Sequence, residues 1–291
     1  MWGRDSHADR GTGQRGRRVM EAGPALALFA GGGVVEAPVL VLAAHPDDEV
    51  IGLGGQLPRL RRLHLLHVTD GAPRDGGDAA AHGFATVADY AAARGRELSA
   101  ALALAGQDPG CAAGLGIADQ QAALQLPRLV DAVAAALRAL RPAILVTHPH
   151  EGGHPDHDAT ALAAQEACRR LAREGLPVPA RLEMTSYHAA PGGIAVGRFL
   201  PAPGCPPVAL RLDDHARDLK ARMLGCFATQ RRTLAQFPVT PEELLRAAPA
   251  YDFTRPPHPG PLFYETFPWG MTGERFRALA AAALAMREDA A

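Results

Sequence analysis

His45-Pro46-Asp47-Asp48 places an imidazole and two carboxylates in four positions at the end of the apolar run VLVLAA, and HEGGHPDHDATALA supplies His154, Asp156 and His157 at the same tight spacing. Imidazole and carboxylate are donors for a divalent cation. A hydrolytic zinc takes three protein ligands and keeps one position for water. His45 and Asp48, three residues apart at a strand-to-helix turn, can point at one ion, and His157 would complete a facial His-Asp-His set. Zinc accepts that mixture, and a carboxylate in place of a thiolate leaves other divalent metals open. The isolated His64, His67, His82, His188 and His258 read instead as packed or solvated side chains.

Asp47 adjoins two of these ligands but should point differently from Asp48, which suits it to take a proton from metal-activated water. His154 could stabilise the tetrahedral oxyanion or protonate a leaving nitrogen. Asp156 could orient that imidazole, or serve only as a charge at a helix N-terminus.

The elements that must position these groups read as alternating strands and helices. Val39 to Ala44 has the continuous apolar pattern of a strand buried on both faces, followed by a helix from Val50 to Leu63 and a strand from Leu63 to Thr69. Helices are expected at Val87 to Ala105 and from about Gln121 to Leu140, then a strand at Ala143 to Thr147 and a helix through Arg173 capped by Asp158. Beyond Arg181, strands are expected at Leu182 to His188, Ile194 to Leu200 and Val208 to Leu212, with a helix from Asp213 to about Gln230. This is the pattern of an α/β, Rossmann-like, mostly parallel sheet with helices on both faces, whose ligands bind at the C-terminal strand ends. Both clusters fall there.

At 291 residues the chain can bury a substantial core, and residues 37–291 are expected to form one domain. Residues 1–36 are expected to be a disordered leader. The Arg-rich first twenty lack an apolar signal region and could lie upstream of a start at Met20. Thirty basic against 31 acidic residues give no field for nucleic acid or an anionic membrane, which favours a small-molecule substrate. Cys111, Cys168, Cys205 and Cys226 form no CxxC pair, no segment reads as a transmembrane span, and a cytoplasmic location is expected.

The pairing of AHPDDE with GGHPDHDA resembles the PIG-L/LmbE-like zinc-dependent de-N-acetylases, from about Val39 to Gln230. The resemblance implies a Rossmann-like fold and removal of an N-acetyl group from an N-acetylglucosamine-type sugar or glycoside. It implies zinc on His45, Asp48 and His157, Asp47 as general base and His154 as its assistant. An R-x-x-E pattern is matched by Arg94 and Glu97, which implies substrate contact by the arginine. A later pattern is approximated by Lys220, Phe227, Thr229 and Gln230.

Other chemistries fit less well. Gly52, Gly54 and Gly55 open a helix after the first strand and Asp70 ends the second, as in a dinucleotide site, but the pattern is GxGG and HPDD separates it from the strand. Those glycines read as close helix-to-sheet packing. A metal-stabilised sugar-binding module would need neither Asp47 nor His154, whereas another amide or an ester could be hydrolysed by the same groups. Residues 249–273 form a Pro- and aromatic-rich strap. At least one of Tyr251, Phe253, Phe263, Tyr264 and Trp269 is expected at the metal cleft, contacting substrate beyond the acetamide.

Overall fold

The computed structural model describes residues 20–288. Helix α1 (Ala22–Ala30) precedes strand β1 (Val35–Ala43), so the expected disordered leader is corrected from residue 20 onward. Ala25 and Phe29 of that helix are buried against the sheet, and residues 1–19 lie outside the described part. After β1 come α2 (Asp48–Leu53), β2 (Leu60–Pro73), α3 (Gly77–Ala81), α4 (Val87–Leu104), β3 (Ala112–Asp119), α5 (Leu126–Leu140), β4 (Ile144–Thr147) and α6 (Pro155–Arg173). The chain continues through β5 (Ala180–Met184), β6 (Tyr187–Ala190), β7 (Gly193–Val196), β8 (Val208–Arg211), α7 (Asp214–Leu224), α8 (Arg231–Leu234), β9 (Glu242–Ala247) and α9 (Gly273–Glu288).

Seven strands form one sheet in the order β3-β2-β1-β4-β5-β9-β8, and β6 and β7 pair as a separate hairpin. Neighbours from β3 to β5 are parallel, whereas β9 runs antiparallel to β5 and β8 antiparallel to β9. The expected Rossmann-like sheet is therefore present. Leu40 and Leu42 of β1 face a core built with α5, α6 and α9, while Val39 and Val41 face α1, α4 and α7. The chain leaves β1 for β2 and β3 on one side and returns to β4 on the other. This strand-order reversal opens a crevice at the carboxyl ends of β1 and β4, and both clusters follow those two strands.

Several boundaries differ from expectation for local reasons. The helix expected from Val50 to Leu63 stops at Leu53, because Gly54-Gly55 and Pro58 break it and Leu60 already begins β2. A Cβ on Gly52 would lie 2.6 Å from Met184 Sδ, and one on Gly55 would lie 2.4 Å from Leu212. These glycines thus serve close packing, as expected. Helix α5 starts later than expected, after a short 3-10 turn, with Pro127 in its first turn. Helix α7 stops at Leu224, short of the expected end near Gln230, with Gly225 as its cap. Strands β3 and β9 and helix α9 were not expected from the sequence.

Lys220 of α7 holds the HPDD helix in place. Its ammonium donates to Ile51 O at 2.8 Å and pairs with the buried Glu243 of β9 at 2.7 Å, and Glu243 also accepts from Gly55 N and Gln56 Nε2. Breaking one side of such a buried pair costs about 3–5 kcal/mol. Lys220→Met should therefore lower the unfolding free energy obtained from urea denaturation by an amount of that order, and adding Glu243→Gln, which keeps an acceptor for Gly55 but no charge, should recover at least half of the loss.

Candidate metal centre and active-site cleft

Asp48 opens α2 and His157 sits in the first turn of α6, so the crevice brings the two segments face to face. His45 Nδ1 lies 3.2 Å from Asp48 Oδ2, His157 Nε2 lies 3.3 Å from Asp48 Oδ1, and the two ring nitrogens are 3.3 Å apart. Ligands about 2.0–2.1 Å from a tetrahedral cation lie about 3.3 Å from one another, so this spacing fits one zinc-sized ion. The electrostatics agree with that use. Burial pushes the His157 imidazole down to about 4 against the pull of Asp48, leaving it neutral. Asp48 is held well below the usual carboxylate range by His157 and His148, although burial opposes this.

Each candidate ligand is oriented from behind. With His45 Nδ1 turned to the donor triangle, its Nε2–H donates to Asp119 Oδ1 at 3.0 Å, and Asp156 Oδ2 is 3.4 Å away. Burial would depress the His45 pKa, but Asp119, Asp156 and Asp48 together push it well above its ordinary value. His157 Nδ1–H donates to Ser186 Oγ at 3.2 Å, and the His148 ring stacks on His157 at 4.0 Å and 9°. His148 Nε2 accepts from Ala44 N at 3.0 Å, which spends that lone pair on the backbone.

Asp47 stands outside the triangle of donor atoms. Its backbone has φ 142°, a region that costs a non-glycine residue about 1–3 kcal/mol and persists only where the surroundings enforce it. Asp47 N–H donates to Glu49 Oε2 at 3.2 Å, the same oxygen pairs with His67 Nε2 at 2.9 Å, and Asp47 Oδ2 accepts from Arg94 Nη2 at 3.1 Å. Burial pushes the Asp47 carboxyl up to about 8, with the Arg94 guanidinium opposing.

Arg94, expected at the substrate, borders the cleft and also clamps the protein. It donates to Gly71 O at 2.8 Å and Pro46 O at 2.7 Å as well as to Asp47. Glu97 accepts from Thr229 N and Oγ1 at 2.9 and 2.6 Å, tying α4 to the turn after α7, where Gln230 donates to Tyr90 Oη.

His154 caps α6, and its Nδ1 accepts from Asp156 N at 3.1 Å, so the proton of the neutral ring sits on Nε2, 3.8 Å from Asp119 Oδ1. Burial and the neighbouring His45 hold its pKa well below the ordinary value. The backbone of Asp156, rather than its carboxylate, therefore orients His154. That carboxylate accepts from Gln120 N at 2.6 Å and Ala122 N at 3.0 Å and pins the β3–α5 loop to α6. Asp158 does not cap the helix either, because His154 is the N-cap and Asp158, within the first turn, accepts from Glu151 N and Gly152 N at 3.1 Å each.

A cavity of about 560 Å³ extends outward from these groups. Phe263 and Trp269 of the strap line it, with Trp269 4.8 Å from the His154 ring, which agrees with the expectation for the strap. Phe253 and Tyr264 instead pack into the core, and Tyr251 bonds Glu183 and Arg246. Tyr187, Phe237 and Phe267 complete the aromatic lining and were not anticipated. Asp119, Ser186 and Glu49 were also missed. The acidic residue following HPDD and the aspartate closing AAGLGIAD were the available signals.

A mostly parallel sheet with a His-Asp-His triangle at its switch point and a separate carboxylate beside it defines a Rossmann-like α/β protein with a candidate hydrolytic centre. The family model described as PIG-L, GlcNAc-PI de-N-acetylase, matches residues 40–168, and the chain belongs to that family. It is 31% identical over 239 residues to the 1D-myo-inositol 2-acetamido-2-deoxy-alpha-D-glucopyranoside deacetylase of Rhodococcus jostii (strain RHA1), covering 67% of this chain and 82% of that one. Among solved structures, a deacetylase of the teicoplanin biosynthesis pathway has a TM-score of 0.55 at 17% identity, covering 74% of this chain and 99% of that chain. The A40926 pseudoaglycone deacetylase has a TM-score of 0.54 at 20% identity, covering 75% and 100%. These two likenesses concern the fold.

Carboxylates behind metal-binding imidazoles are worth 10–100-fold in affinity. Asp119→Ala should loosen zinc by about that factor, measured by competition against a chromogenic chelator, with the far-ultraviolet circular dichroism unchanged.

Proposed function

We propose that this protein is a zinc-dependent N-deacetylase that hydrolyses the acetamide of an N-acetylglucosamine-type sugar or glycoside. The observation that carries this reading is the separation of roles at one end of one buried cleft: three donors spaced for a single cation, and a carboxylate held beside them by other contacts. Membership of a de-N-acetylase family supports the acetamide as substrate. A cation on His45, Asp48 and His157 would supply Lewis acidity to water and to the acetamide carbonyl.

The remaining work falls to the chain. Asp47 accepts the proton of the attacking water, and Arg94 and Glu49 fix its direction through the bonds already described. His154, neutral and protonated on Nε2, donates toward the developing oxyanion. Asp119, between His45 and His154, keeps both rings turned to the cleft. A protein that only bound sugar would not need Asp47 in a strained conformation. The four cysteines are unpaired, which supports a reducing setting, and we place the reaction in the cytoplasm. No helix among the described residues is long and apolar enough to cross a membrane.

Two variants separate holding the cation from proton transfer. His157→Ala should lose bound zinc on elemental analysis of the purified protein. Asp47→Asn should keep it while primary-amine release from N-acetylated sugars falls by about a hundredfold or more. Near-normal turnover in Asp47→Asn would remove Asp47 as the base.

A further inference from the structure

The cavity is larger than one N-acetylated hexose needs, and its walls differ in chemistry. One wall is a continuous line of rings leading from the candidate metal ligands to solvent. Tyr187 meets His157 edge-on at 5.4 Å, Phe263 meets Tyr187 at 5.7 Å, Phe267 meets Phe263 at 5.2 Å, and Trp269 stacks on Phe267 at 4.4 Å and 9°. Phe267 is 37% exposed, a large apolar ring left open at the outer end. That wall offers one phenol and one indole N–H as polar partners, so a ligand with hydroxyls on that side would lose water without replacing it.

A different segment brings Asp75 and Asp78 to the same cavity, both exposed. Arg94 is the one Lys or Arg among the described residues lining it; it is buried, its two Nη atoms donate to Asp47, Pro46 O and Gly71 O, and its Nε–H is left without a partner. Among the described residues lining the cavity, no exposed guanidinium or ammonium awaits a phosphate or carboxylate. An anionic group beyond the sugar would instead meet two carboxylates with no exposed cation in the cavity lining to offset the repulsion.

We propose that Phe267, Trp269, Asp75 and Asp78 form a second substrate subsite, which selects N-acetylglucosaminides whose aglycone is flat, apolar on one face and free of negative charge. The proposal rests on the deacetylase reading for the position of the sugar. With the acetamide at the His45–Asp48–His157 triangle, the aglycone is directed out along the aromatic wall. Stacking on Phe267 holds a flat group there, and the two aspartates exclude a phosphorylated one.

Three probes of the same anomer test this: phenyl N-acetylglucosaminide, its methyl counterpart and N-acetylglucosamine 1-phosphate. Turnover is measured on the zinc-loaded wild type, and binding by calorimetry on zinc-loaded Asp47→Asn. The phenyl glycoside should bind at least tenfold more tightly than the methyl one, and the phosphate at least tenfold more weakly. Adding Phe267→Ala should bring the phenyl-to-methyl ratio toward one, and adding Asp75→Asn with Asp78→Asn should shrink the phosphate penalty several-fold. Equal binding of phenyl and methyl glycosides, a phosphate that binds as well as the methyl glycoside, ratios unmoved by the variants, or no binding of any probe would overturn the subsite. Absence of amine release by the wild type with the binding order intact would sink the deacetylase reading and leave the subsite standing.

Discussion

The rest of this structure depends on neutralising carboxylates buried at the C-terminal edge of the sheet. Asp47, Asp48, Glu49, Asp156, Asp158 and Glu151 are all nearly inaccessible to solvent, and each would be prohibitively costly there if left unpaired. The fold meets that demand largely with backbone amides. Asp48 takes His45 N at 2.8 Å, Asp156 takes Gln120 N and Ala122 N, Asp158 takes Glu151 N and Gly152 N, and Glu151 takes Leu200 N at 2.7 Å. Each loop at this edge is thus folded around a carboxylate. Two of those carboxylates lie in the first turn of α6, where the helix dipole favours them. The imidazoles fill the space that remains, and a cation at the donor triangle would add positive charge that the amides cannot.

This economy explains which parts of the site were legible in the sequence. His45, Asp48 and His157 could be read because their chemistry is local: residue type, spacing and a preceding apolar run all lie within a few positions. Asp119 could not, because β3 is built from alanine and glycine, its burial pattern is irregular, and its partner His45 is 74 residues away. Arg94 and Asp156 were read as functional residues, and they are central, but most of their partners are backbone atoms of other loops. A sequence pattern marks such a residue without saying what it holds. Asp158 was misplaced as a cap because His154 takes that position with its own ring nitrogen.

The sheet shows the same division. The parallel core from β1 to β5 was readable where strands are apolar on both faces. β9, with the sequence EELLRA, carries helix-forming residues and becomes a strand through pairs that only the tertiary fold supplies. Glu243 is matched by Lys220, and Arg246 by Glu183 at 2.8 Å and by the face of Phe199 at 4.2 Å. Its charges are buried because their partners come from β5, α7 and the β7–β8 connection. Helix α9 follows the same logic: its alanine-rich surface has no strong amphipathic signature, and Phe276, Ala280 and Ala283 become core only once α5 and α6 are in place.

The aromatic wall reaches the candidate metal ligands through two small residues of the HEGGH loop. Gly152 has φ +70°, and a Cβ there would lie 2.7 Å from Leu262; its carbonyl accepts from Phe263 N at 2.9 Å, which fastens the strap directly over the loop. At Gly153 a Cβ would lie 2.1 Å from Tyr187 O, a backbone atom that cannot swing aside. Any larger residue at either position would push the strap or the β6–β7 hairpin away from His154 and His157. The glycines therefore couple two otherwise separate parts of the protein, a sheet edge that fixes the candidate catalytic groups and a peripheral strap that shapes what can approach them. The strap's attachment at Gly152 is a backbone-to-backbone bond, so it does not depend on the side chain at Phe263. Trp269, 4.8 Å from the His154 ring, is where the candidate selectivity and the candidate chemistry meet within the cleft.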